Sequence, residues 1–311
     1  MSVIKDPLFN EHWVKFNEEK WWLKSELIEL SPKNSNKWYL KSIIYKNKRG
    51  KIVNPPYNPY FPVYFECAAQ KKPKLNQRKR EAYSALADLY YKKGLFSGVN
   101  LSPVVDDLRP FIWKNMLVTP RYTYHIDLLN YEHNVRSSVI NKAKKAKEKG
   151  YYCEVTSDFN AVIDCLKSVE KRKKFSHRID VSDMKSLHDS IGNENFVAFI
   201  AINKDGVVKG TWVRIYEPGG RVIAWAAGIK KDALKDGVNN LLGEYSFNYF
   251  KEKECKVFDF VGANMHSVAS MKEDWGGDLI TYYNIRQRNF RNFVKEFYNH
   301  TLGQVLIADK I

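Results

Sequence analysis

The stretch NFVAFIAINKDGVVKGTWVRIYEPGGRVIAWAAGI, residues 195–229, limits the possible folds more than any other. Three runs rich in β-branched and aromatic residues are joined by the turn sequences KDG and PGG. Glycine in such turns supplies the positive φ that a tight reversal needs, so the runs read as consecutive antiparallel strands. The elements around them extend the pattern. After Gly150, YYCEVT reads as a strand and residues 158–174 as a helix. Residues 238–253 form a helix with Val238, Leu241, Leu242, Tyr245 and Tyr249 in one stripe. VFDFV alternates as a strand, a short helical run follows, LITYYNIR is one more strand, and NFRNFVKEFYNHTLG a closing helix. Periodicity alone gives an α/β chain with mixed α+β sheets.

The first half reads less regularly. KWYLKSIIYKN alternates, and the tyrosine-proline cluster at 55–62 makes a rigid loop. KKPKLNQRKREAYSALADLYYKKG is a basic run passing into a helix, with Tyr83, Leu86, Leu89 and Tyr90 on one face and Gly94 as the stop. Residues 99–104 read as a strand. Pro110 and Pro120 are expected to break any helix, leaving loop and strand up to the alternating RYTYHIDL. Asn130 is the expected cap of a lysine-rich helix that ends at Gly150.

The formal charge is +16 and the sequence pI about 9.4. A field of that size points to a polyanionic partner: RNA, a nucleotide-linked substrate or an anionic membrane face. Three runs carry it: 71–80, the lysines of 142–149, and EKRKKFSHRID at 170–180, which includes Arg178. No apolar run approaches the ~18–20 residues that span a bilayer. MSVIKDPLFNEHW has no basic segment leading into an apolar one, so the expected compartment is the cytoplasm, including the inner face of the membrane. Cys67, Cys153, Cys165 and Cys255 share no metal-like spacing, so they read as reduced thiols and no metal site is expected.

The segment VFDFVGANMHSVASMKEDWGG, residues 257–277, has the look of a ligand site. Lys272 follows a strand that ends in glycine and can hold a phosphate, a carboxylate or a developing oxyanion; the plainer alternative is a solvated lysine beside Glu273 and Asp274. Asp259 points opposite to Phe258 and Phe260 and can orient Lys272, take a proton from an amine or serve as a structural ion-pair partner. DDLRPF offers Asp106, Asp107 and Arg109 as a clamp for an anionic group or as a plain loop salt bridge, with Asp107 a further catalytic candidate. Trp113, Tyr122 and Tyr124 can stack a sugar or base or simply pack. Asn264 completes the substrate-binding candidates. Gly237, Asn239 and Asn240, at the start of the 238–253 helix, are the donor-binding candidates. There is no GxSxG elbow, and amide formation needs no covalent nucleophile.

FDFVGANMHSVASMKEDWGG resembles the "yDfgG…fK..fGg" signature of FemABX-type aminoacyltransferases and related GNAT-like acyltransferases. DGVNNLLGEYSFNYFKEKECKVFDF is similar to that family's preceding helix, and RYTYHIDL with its basic helix ending in AKKAKEKGY to the link between its halves. The resemblance covers about residues 105–285 and implies two tandem GNAT-like domains, 1–150 and 151–311, with a cleft between them. It places a functional lysine at Lys272. It implies transfer of an amino acid from aminoacyl-tRNA to an amine of a nucleotide- or lipid-linked envelope precursor, peptidoglycan or a surface-polysaccharide amino sugar. It requires no tightly bound cofactor and allows peripheral contact with the membrane. The alternatives are a coenzyme A-dependent N-acetyltransferase of a nucleotide-linked amino sugar, and a basic RNA-binding module with a degenerate catalytic cleft. KKDALKDGVNN lacks the R/QxxGxG/A loop that cradles coenzyme A, which favours aminoacyl-tRNA over acyl-CoA. The chain also lacks the charged coiled-coil arm of some family members.

Overall fold

The structure is a computed structural model that describes residues 5–33, 35–192 and 194–288. In chain order its helices and strands are α1 (Glu11–Trp21), β1 (Lys24–Leu30), β2 (Tyr39–Lys46), β3 (Val63–Glu66), α2 (Lys72–Lys93), β4 (Val99–Leu101), α3 (Arg109–Trp113), β5 (Met116–Asp127), α4 (Ser137–Glu148), β6 (Tyr152–Thr156), α5 (Phe159–Lys173), α6 (Val181–Ile191), β7 (Phe196–Ile202), β8 (Val208–Tyr216), β9 (Arg221–Ile229), α7 (Val238–Glu252), β10 (Val257–Asp259), α8 (His266–Glu273) and β11 (Asp278–Gln287). The closing helix expected after residue 288 lies outside the described residues.

The chain divides into two compact units. The first joins the chain up to Lys20 to Tyr122–Ile280; the second joins Trp21–Arg121 to the chain from Thr281 on. The division expected near residue 150 is therefore not the one drawn: Gly150 sits in a turn inside the first unit. The reason is the core. Ile126 of β5 and Val139 of α4 pack in one apolar cluster with Phe199, Trp212, Phe247 and Phe258, which come from after that turn.

In the first unit the strands run β5-β10-β9-β8-β7-β6. β6 to β9 are antiparallel neighbours, with Gly206 and Gly219 at positive φ in the KDG and PGG turns. All seven residues of β7 are buried, so this strand is covered on both faces and needs no polar alternation. On one face α7 contributes Leu242, Phe247 and Phe250 to the apolar cluster. On the other, α5 packs against β8 and β9, and Trp13 of α1 meets Trp225 edge-on at 5.7 Å. Asp158 caps α5 through the amides of Asn160 and Ala161. α6, which periodicity does not pick out, is fixed by an Asp180–Asp183 capping box, and Lys20 reaches Asp183 at 2.6 Å.

In the second unit β1, β2 and β3 form an antiparallel meander, and β4 pairs antiparallel with β11, Leu101 opposite Tyr283. α2 buries Ala82, Tyr83, Leu86 and Tyr90 along one face and stops at Gly94, φ +79°. Pro110 does not break a helix: it stands in the first turn of α3, where its missing N–H has no partner to lose. Pro120 likewise lies within β5, at an exposed position. Asn130 does not cap α4, which begins at Ser137; its side-chain amide donates instead to Asp127 Oδ2 at 2.9 Å.

Candidate active site

β9 and β10 are the parallel pair of the first unit, which is why a helix, α7, must connect them. The carboxyl ends of both strands and the N-terminus of α7 lie at one end of this βαβ unit, where open α/β sheets usually bind their ligands. The pairing lasts three residues, Val257–Asp259 against Arg221–Ile223. β9 then continues to Ile229, but the chain after Asp259 leans the other way. Phe260 donates its amide to Tyr124 O at 3.0 Å and Ala263 to Tyr122 O at 2.6 Å, both on β5. The two strands fork, and two carbonyls of the freed stretch of β9 are taken by arginines. Arg214 Nη1 donates to Ala226 O at 2.9 Å and Arg172 Nη1 to Ile229 O at 3.1 Å. Arg214 is buried, lies 4.0 Å over the ring of Trp212, and burial pushes its guanidinium pKa well below the usual value.

The crotch of the fork is built on a turn in the left-handed region, with Val261 at φ +51° and Gly262 at φ +74°. A β-branched residue there is strained, and such strain persists only where surrounding contacts impose it. Lys272, on α8, imposes it. Its ammonium donates to the carbonyls of Phe260 (2.8 Å), Val261 (2.8 Å) and Gly262 (2.5 Å). Those three bonds use every donor a lysine has. The residue is 9% exposed, so the expected side chain reaching into open space is instead a buried staple. Burial lowers its pKa to about 8, against the charge of Asp259 and together with that of Arg214.

Asp259 is fully buried. Its Oδ1 accepts from Thr123 Oγ1 at 2.8 Å and from the Val261 amide at 2.9 Å, and its Oδ2 lies 3.1 Å from His125 Nε2. Burial would raise its pKa, but the neighbouring His125, with Arg221 and the Val261 amide, holds it far below the carboxylate range. Enclosed in this way, Asp259 has no surface with which to touch an acceptor amine. Because its folded pKa is depressed, the stability it contributes is complete above the ordinary aspartate value near ~4 and is lost as pH falls below it. Asp259→Asn is expected to lower stability by on the order of 2–3 kcal/mol at neutral pH and to flatten the loss of stability below about pH 4. Urea unfolding across an acid pH series measures both.

The other candidates separate by unit. Asp107 and Arg109 lie in the second unit and grip each other, Arg109 Nε to Oδ1 at 2.8 Å and Nη2 to Oδ2 at 2.7 Å. That grip holds Asp107 below the carboxylate range. Trp113 is 63% exposed, with the Arg109 guanidinium 5.9 Å from its ring. In the first unit Tyr124 is a core residue, so stacking on a substrate is replaced by packing. Tyr122 is partly exposed, and Asn264 Oδ1 accepts its backbone amide at 3.0 Å, which fastens the fork loop to β5. Arg178 is exposed at φ +55°. Gly237 has φ +86°, and a Cβ there would stand 2.0 Å from Lys142 O, so this glycine seats α7 on α4. Asn239 accepts from Trp212 Nε1 at 3.0 Å, and the amide of Asn240 donates back to Gly237 O. Sequence reasoning missed His125 and Thr123. Each is an ordinary member of an alternating strand, and neither carries a spacing signal that points to Asp259.

The basic runs are partly neutralised within their own units. Lys147 pairs with Glu244 at 2.7 Å, Lys149 pairs with Asp236, and Lys145 donates to Lys235 O at 3.2 Å. Glu170 is bound to His177. Lys142, Lys171, Lys173, Lys174 and Arg178 remain exposed, as does Lys144, 3.9 Å from Glu148.

The mixed α/β fold is one shared with solved GNAT-like structures. The structure superposes on the crystal structure of FemX with a TM-score of 0.60, at 11% identity over 90% of this chain and 92% of that one. The C-terminal domain of a protein proposed to be a lysylphosphatidylglycerol synthetase, from Agrobacterium fabrum, gives 0.57 at 9% identity, over 96% and 93%. A GCN5-related N-acetyltransferase from Kribbella flavida gives 0.50 at 7% identity, over 93% and 97%. No protein-family model matches the sequence, and no curated protein is significantly similar to it.

Proposed function

We propose that the protein is an acyltransferase that forms an amide on an amine of a cell-envelope precursor, with an aminoacyl-tRNA as donor. The observation that carries this reading is the fold it shares with FemX over nine-tenths of the chain. Fold alone does not settle a reaction, so the site must agree. A forked parallel pair whose crotch is braced by buried ionic groups supports the reading. The tRNA donor is favoured by the start of α7. Gly237 is packed against α4 there, and Asp232 and Asp236 stand in the preceding loop, which suits a pyrophosphate poorly. The similarity to a GCN5-related N-acetyltransferase keeps an acyl-CoA donor as the second reading. A cytoplasmic site of action, at the membrane face where lipid-linked precursors lie, goes with the first. No described helix is long and apolar enough to cross a membrane.

The test is a transfer assay. Labelled aminoacyl-tRNA pools and labelled acyl-CoAs are offered separately, with amine-bearing nucleotide- and lipid-linked sugar precursors as acceptors. Amide product from tRNA alone is the expected result. Product from acyl-CoA alone selects the second reading. Binding of tRNA with no product from either donor leaves a nucleic-acid-binding protein.

A further inference from the structure

The acyltransferase reading leaves open which group takes the proton from the attacking amine. Neither Asp259, which is enclosed, nor Lys272, whose donors are saturated by carbonyls, can do so. Asp107 is committed to Arg109. His125 differs from all three. It stands opposite Asp259 in the β5–β10 ladder, with Nε2 buried and 3.1 Å from Asp259 Oδ2, within ion-pair distance though not aligned as a hydrogen bond, and with no other partner among the described residues. The side chain is nevertheless 16% exposed, so its accessible part lies away from Nε2, and no hydrogen bond to Nδ1 is made among the described residues. Asp259 is in turn oriented by Thr123 Oγ1 and the Val261 amide. A carboxylate fixed on both sides and set beside one imidazole nitrogen holds the proton there and leaves the lone pair on the other.

We propose that His125 is the general base for amide formation at this site, with Asp259 and Thr123 as its positioning residues; the proposal rests on the acyltransferase reading. The neutral acceptor amine attacks the acyl carbonyl carbon, its lone pair forming the C–N bond while the carbonyl π pair moves to oxygen. The nitrogen, now cationic, gives one proton to His125 Nδ1. Collapse of the tetrahedral adduct reforms the carbonyl and breaks the bond to the donor's ribose oxygen, or thiol sulfur, which leaves with the pair and takes that proton from the imidazolium. Histidine is restored, and no other reactant is consumed.

Two measurements test this. The first needs no substrate: long-range ¹H–¹⁵N correlation of the histidine rings in the ¹⁵N-labelled protein at neutral pH, with His125→Gln used to assign the signal. The expected form is neutral with its proton on Nε2, and Asp259→Asn should erase that preference. A proton on Nδ1, or on both nitrogens, overturns the proposal. The second is the transfer assay. Positioned bases contribute roughly 10²–10⁴-fold, so His125→Ala and His125→Gln should each lose at least about 10²-fold in kcat. Millimolar imidazole should restore His125→Ala but not Asp259→Asn, which a purely structural histidine would not produce. Transfer by wild type that survives in both His125 variants refutes the base and spares the acyltransferase reading. A wild type that transfers nothing, from either donor, refutes that reading and the base with it.

Discussion

Lys272→Met is expected to lower the unfolding midpoint by roughly 6–20 °C, with activity lost alongside. The variant leaves the carbonyls of Phe260, Val261 and Gly262 without their donor and leaves Asp259 without a neighbouring cation. Removing one member of a buried ionic arrangement typically costs about 3–5 kcal/mol. In a unit of this size each kcal/mol moves the midpoint by about 2–4 °C. The left-handed turn at Val261 then has nothing to enforce it, and the Val261 amide that helps fix Asp259 moves with the turn. Lys272→Arg keeps the charge but not the compact three-donor geometry, so it should fall between the two. Differential scanning calorimetry with the transfer assay separates staple from catalyst. A variant as stable as wild type but with turnover down by about 10²–10³ would make the lysine an oxyanion stabiliser instead.

Raising the salt from about 50 to 200 mM should weaken tRNA binding by roughly 10³. That is the expectation for about six neutralised phosphates at slightly under one unit of slope each. Lys142, Lys144, Lys171, Lys173, Lys174 and Arg178 are six exposed cations of the 142–149 and 170–180 runs that can meet this requirement. Changing Lys142, Lys144, Lys173 and Lys174 to glutamine should flatten the log–log slope by about 3 to 4. Changing Lys147 and Lys149 instead should leave the slope nearly unmoved, because Glu244 and Asp236 already engage them. Filter binding at several salt concentrations reads both variants against wild type. A shallow slope in wild type, with tight acetyl-CoA binding, would move the donor assignment to acyl-CoA.

Much of the fold could be read from the sequence where one period ran undisturbed. β7, β8 and β9, with glycine in their turns, and α7, with its apolar stripe, are such segments. α1 could not, because EHWVKFNEEKW is mostly polar, with too few apolar residues to draw a clear stripe, and its Trp13 finds its partner, Trp225, far along the chain. α6 was hidden behind the basic run before it, although the aspartates of its capping box stood in view. The site shows the same limit. Asp259 and Lys272 can be singled out because a carboxylate mid-strand and a lysine behind a glycine are unusual. What they bind cannot, since Lys272 holds backbone carbonyls, which every residue has. Thr123 and Asp259 are 136 residues apart, and only the strand register brings that pair and His125 together.

The interleaving of the two units governs the order in which the chain can acquire structure as it leaves the ribosome. The segment up to Lys20, with Trp13 and its apolar face, emerges first but must wait until Tyr122–Ile280 exists to receive it. The second unit emerges next, as Trp21–Arg121, yet the strand that pairs with β4 is β11, the last described element to be made. Neither unit is therefore a contiguous stretch of a growing chain. A nascent protein halted anywhere before β11 carries an unpaired β4 edge, and one halted before Tyr122 carries an exposed α1. Both are surfaces on which a holding chaperone would act.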